Sequence, residues 1–248
     1  MNGTRWWENY LVRYLVPSIL GMVILMWLGE NFPMLKTYLS ILPFDGYDKF
    51  STAHLVGWLL FGTLYCYIAS YPILVFHAIR IEFFKKNKTN ILNLHTVLPI
   101  SLFTIFIVLS VLIISSQNNK NFAFGVVVCS VCVFSLYQIY YLYKVSSTRL
   151  GFSYAKRLTQ VRNGQKDFVE SYRHLREHGN TALIILFEIL LAAVLYVVLS
   201  FEVKPNYPNL SKKYIDLSMV SIILFIWVAP ATLVYFYGQF LERKLSQF

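Results

Sequence analysis

Six apolar runs, each near the length a helix needs to cross a bilayer, constrain this chain more than any other feature. They cover residues 11–28, 55–79, 97–114, 122–143, 182–199 and 217–238. Hydrocarbon offers no partner to backbone N–H and C=O groups, so a spanning segment must satisfy them within itself, and about 20 residues of helix do so. None of the runs alternates in polarity, which excludes an outer-membrane barrel. Only 14% of residues are charged, against the roughly one quarter that coats a soluble domain, so a soluble globular protein is excluded too. The expected fold is all-α: a polytopic integral membrane helix bundle with six transmembrane helices, forming one transmembrane domain over 1–248.

The net charge of +10 has a topological explanation. With the N-terminus in the cytoplasm, sixteen of the 22 Lys and Arg residues fall in cytoplasmic segments and six outside. The positive-inside rule then assigns both N and C termini to the cytoplasm. Sequence-specific nucleic-acid binding is not needed to account for the bases. Lys, Asn, Ile and Phe bias and the lack of an appended domain suggest a small prokaryotic protein of the cell inner membrane (plasma membrane), multi-pass and in contact with membrane lipids. Cys66, Cys129 and Cys132 lie inside apolar runs and cannot build a secreted disulfide framework. The first run lacks a small-residue cleavage pattern, so it reads as a retained helix, with Trp6 and Trp7 at the inner interface. Leu35, Leu39 and Leu42 at helical spacing predict a short surface helix between the first two spans. No repeat or matched pair of broken spans suggests a secondary transporter.

Residues 144–180, between spans four and five, form the one long polar stretch. Tyr154, Leu158 and Val161, then Phe168, Tyr172 and Leu175, predict two amphipathic helices, the second ended by a Gly179-Asn180 C-cap before the fifth span. Arg149, Arg157, Arg162, Arg173 and Arg176 would form a phosphate-binding ring if several subunits assembled, suited to a nucleotide or to acidic lipid head groups. The competing reading is that these bases hold the segment against an anionic leaflet, at about 1 kcal/mol each. His174 and His178, four residues apart, could approach a common ligand. No carboxylate completes a zinc motif, however, and a surface pair is the simpler account. No phosphate loop or dinucleotide fingerprint occurs, and no metal or cofactor is expected.

Glu188 is the sharpest signal inside a span, because an ionised carboxylate there costs several kcal/mol without a partner, water or proton. Thr181, Ile184 and Ala192 share its side of the helix. In a homo-oligomer it would ring an ion path with acids; alternatively it makes one interhelical hydrogen bond to Gln138 or a tyrosine. Gln138 itself is expected to face protein, as interhelical glue or, with Thr181, on the ion path beside Glu188. Pro17, Pro72, Pro99 and Pro230 kink four spans, and Pro230 with the neighbouring Thr232 is a candidate hinge or pore constriction, or else a static kink. Gly62, Cys66 and Ser70 form a small-residue ridge for close helix packing. Cys129 and Cys132 make a C-x-x-C pair, but a continuous helix holds such sulfurs poorly for bridging.

The leading expectation is an oligomeric channel-like or pore-forming effector, with ion permeation gated from the cytoplasmic side by an anionic ligand or partner bound at 144–180. A non-conducting membrane sensor or scaffold that binds a cytoplasmic protein is the first alternative. A membrane-embedded lipid or thiol enzyme is the second, and without a visible catalytic set it ranks last.

Overall fold

The computed structural model describes residues 6–33, 35, 52–86, 94–116, 119–147, 166–202 and 217–245. Six helices make up the described regular structure: α1 Trp6–Asn31, α2 Thr52–Lys86, α3 Leu94–Ser115, α4 Lys120–Ser147, α5 Lys166–Glu202 and α6 Ser218–Leu245. Each contains a stretch long and apolar enough to cross a membrane, six in all among the described residues. The predicted spans and these stretches agree to within a few residues; the fifth, for example, is Asn180–Glu202 against the expected 182–199. The short 116–119 connection makes α3 and α4 neighbours. Asn119 sits there at φ 56°, in the left-handed region that Asn tolerates, and its carbonyl accepts the amides of Phe122 and Ala123 to start α4.

The fifth span is the hub. Within Asn180–Glu202, 61% of the stretch is buried, against 22–39% in the other five. Helix α5 packs against α1, α2, α3, α4 and α6. Because lipid tails are as apolar as leucine, burial in the bundle is stabilised by close packing and interhelical hydrogen bonds rather than by escape from water. Two features supply them.

At the α1–α2 crossing a Cβ added to Gly21 would stand 2.6 Å from the Gly62 carbonyl oxygen, and one on Gly62 would collide with the Ser18 carbonyl. Only glycine at both positions lets the backbones approach this closely. Gly62 of the small-residue ridge therefore packs as expected.

Five helices meet in one aromatic cluster. The Phe134 ring of α4 lies 4.6 Å from Phe103 of α3, 6.0 Å from Phe76 of α2, 6.1 Å from Phe187 of α5 and 6.3 Å from Trp227 of α6. Offset and edge contacts of this kind add roughly 0.5–1.5 kcal/mol per pair beyond buried area.

One sequence expectation fails here. Gly179-Asn180 does not end a helix: α5 runs unbroken from Lys166 to Glu202. A mid-helix glycine costs only about 1 kcal/mol relative to alanine, less than the helical hydrogen bonds continued on both sides of it. Asn180 points into the bundle, where its Oδ1 lies 3.1 Å from His77 Nε2 of α2, and does not act as a cap. The preceding amphipathic helix (Tyr154, Leu158, Val161) and the surface helix through Leu39 and Leu42 lie outside the described residues.

Candidate functional site in the bundle core

Two span prolines give the core its hydrogen-bond pattern. Pro72 cannot donate to Ile68, and the Ile68 carbonyl instead accepts Trp227 Nε1 of α6 at 3.0 Å. Pro230 likewise frees the Ile226 carbonyl, which accepts Ser135 Oγ of α4 at 2.9 Å. Each missing backbone bond has become a socket for a side chain from another helix. Pro230 is buried, and the carbonyl it frees is held by Ser135. Thr232 faces outward and spends its hydroxyl on Ala229 of its own helix.

Glu188 lies at 0% exposure. Tyr65 of α2 donates its hydroxyl at 2.8 Å to the main-chain carbonyl of Glu188 and not to its carboxyl. Cys66 places its thiol beside the carboxyl, yet neither carboxyl oxygen completes a hydrogen bond. No described Lys, Arg or His interacts with it. Gln138, at 1% exposure, leaves its Nε2 without a partner as well. Ile184 and Ala192 are buried on the Glu188 side and Thr181 is half-buried, consistent with the helix face read from the sequence.

The carboxyl therefore lies inside the bundle, beside Cys66 of α2.

The buried polar atoms that lack a partner among the described residues gather toward one end of the core. Between Leu190 and Leu199 every buried side chain of α5 is carbon alone. Toward the Asn180 end lie Glu188, Gln138, the Asn180–His77 contact and Tyr237, whose buried hydroxyl also lacks a partner. Glu188 is eight residues from the Asn180 end of its span, and Gln138 eight from the Ser146 end of its own, so both sit about 12 Å from the same face.

Of the expected ligand-binding bases, Arg149, Arg157 and Arg162 lie outside the described residues. Arg173, His174, Arg176 and His178 lie on the helical backbone of α5 before its span, with their side chains outside the described set. Cys66, Cys129 and Cys132 are free thiols; Cys66 is buried and Cys129 exposed. Among the described residues no three His, Cys, Asp or Glu side chains group as a metal site.

Sequence reasoning missed a lateral groove of about 800 Å³ between α3 and α4, floored by Gly125, Cys129 and Ser130 and walled by residues such as Leu102, Phe106 and Val133. The small residues at 125, 129 and 130 were its only trace in the sequence. Its walls are almost wholly carbon, and Glu188 does not line it. Compared with protein-family models, curated proteins and solved structures, the chain matches none, so its function is argued from its own residues.

Proposed function

We propose that this protein is a non-conducting membrane sensor of a prokaryotic plasma membrane, with both termini and the basic 144–180 segment in the cytoplasm. The observation that carries the reading is α5: one unbroken helix reaches from within the basic segment, at Lys166, through the most buried span to Glu202. A helix of 37 residues is about 55 Å long, and it transmits a displacement at one end to the other as a strut does. Its contact with His77 lies at the Asn180 end, and the apolar packing of Leu190–Leu199 opposes an aqueous route beyond Glu188.

In this reading an anionic ligand or an acidic cytoplasmic protein engages Arg173 and Arg176, and the resulting shift of α5 is felt first at the Asn180–His77 contact. Such a partner moves the equilibrium only if it binds one placement of α5 better than the other. Disulfide trapping tests this directly, using His77→Cys with Asn180→Cys in a chain whose native cysteines are replaced by alanine. The rate of bridge formation is expected to change when ATP or anionic-lipid vesicles are supplied, and to become indifferent to both after Arg173→Glu with Arg176→Glu. A rate insensitive to these anions in the unreversed chain, or equally sensitive after reversal, would return the bases to a purely topological role.

A second reading keeps the channel-like effector, either as a homo-oligomer or through each subunit. It is favoured by one observation, the unpartnered oxygens of Glu188 and nitrogen of Gln138, which a hydrated path would satisfy. The two readings differ on whether ions cross.

A further inference from the structure

Buried polar atoms in folded proteins are almost always hydrogen-bonded, and a cluster of exceptions requires a ligand to explain it. Here the exceptions concentrate: both carboxyl oxygens of Glu188 and the amide nitrogen of Gln138, on neighbouring helices and at matching depth, have no partner among the described residues. The helices are tied together just beside them, because Phe134, one turn before Gln138, packs on Phe187, which precedes Glu188. A small species that satisfies both groups accepts from an amide N–H and donates to a carboxyl oxygen. Water does both, whereas a metal ion accepts from nothing and an ammonium group only donates.

We propose that Glu188 and Gln138 form an internal water site between α4 and α5, closed toward the Glu202 end and exchanging with the medium through the Asn180–His77 end. The proposal rests on the enclosed-core reading above and adds the species the core binds. Direction comes from the division of the core. Toward Glu202 the buried side chains of α5 from Leu190 to Leu199 are carbon alone, none of which can hold a water, and buried polar groups return only at Ser200 and Glu202 beyond them. Toward Asn180 the polar groups continue, with Asn180 buried and His77 half-buried at the rim.

The titratable groups facing Glu188 are Tyr65 and Cys66, both from α2; the described parts of α1, α3, α4 and α6 bring it no charge. With no cation to balance a carboxylate, the arrangement that leaves no orphan is the neutral acid whose hydroxyl donates to a water that accepts from Gln138 as well and donates back to the other carboxyl oxygen.

Infrared spectroscopy of the full chain in lipid bilayers at neutral pH tests this. A protonated-carboxyl stretch is expected that disappears in Glu188→Gln, moves when the medium is changed to D2O, and changes frequency in Gln138→Leu. If Glu188→Gln does not assemble, Glu188→Asp should displace the band and serve for its assignment. Absence of the band, indifference to D2O, or an unchanged frequency in Gln138→Leu would each overturn the site. Ion flux across the same bilayers separates this result from the sensor reading: a hydrated Glu188 with no flux keeps both, and flux with an exchanging band removes the sensor reading alone.

Discussion

The two halves of the fifth span solve the same burial problem in opposite ways. From Leu190 to Leu199 the buried surface of α5 is uniformly apolar, and its stability comes from packing. From Asn180 to Glu188 two of the four buried side chains are polar; Asn180 finds His77, while Glu188 finds no partner for its carboxyl. A core of this size is easily built of carbon throughout, as the first half demonstrates. Polar residues retained in the second half therefore mark where the molecule gives up packing for another purpose, the expectation for ionisable groups inside membranes. The same asymmetry separates a seal from a site.

Substitutions that exchange the character of the two halves should show it. The largest effect is expected from Leu191→Glu, which introduces a carboxyl at a fully buried apolar position. A loss of about 3 kcal/mol, read by unfolding in mixed micelles, is the expected outcome. A small loss would mean that water already reaches the sealed half. Gly62→Val tests the packing that supports the seal: its Cβ meets the α1 backbone, and about 1–3 kcal/mol should be lost together with the α1–α2 contact. Next in size is Ser135→Ala, which leaves the Ile226 carbonyl freed by Pro230 without its donor, at a cost of about 1 kcal/mol. Smallest is Glu188→Leu. Replacing a buried acid that no described side chain hydrogen-bonds by an apolar residue of similar volume should leave unfolding unchanged or make it harder, by up to about 1 kcal/mol. A substantial destabilisation there would show that the carboxyl holds the bundle together, and the contrast between the halves would lose its functional meaning.

Much of the architecture was legible in the sequence because the constraint is local. Each span must satisfy its own backbone in hydrocarbon, so the runs at 97–114 and 182–199 announce themselves without reference to neighbours. The inward face of α5 was legible for the same reason, since Ile184, Glu188 and Ala192 recur at the helical period and all three are buried. Partners were not legible. Nothing along the chain says that Tyr65 bonds the backbone at Glu188, that Cys66 stands beside its carboxyl, or that the sockets of Pro72 and Pro230 are filled by Trp227 and Ser135. These are pairings across helices, separated by as many as 159 residues in the case of Trp227 and Ile68. Gly179-Asn180 misled because a local stop signal carried less weight than the helix continuing on either side and the contact of Asn180 with His77.

Ion flux across liposomes that contain the purified chain bears most directly on whether the polar half is a closed pocket. The account predicts no flux above that of empty liposomes, with or without ATP on the side of the basic segment, and no change on Glu188→Gln. A flux that ATP elicits and Glu188→Gln diminishes would contradict it and establish Glu188 on a conducting path.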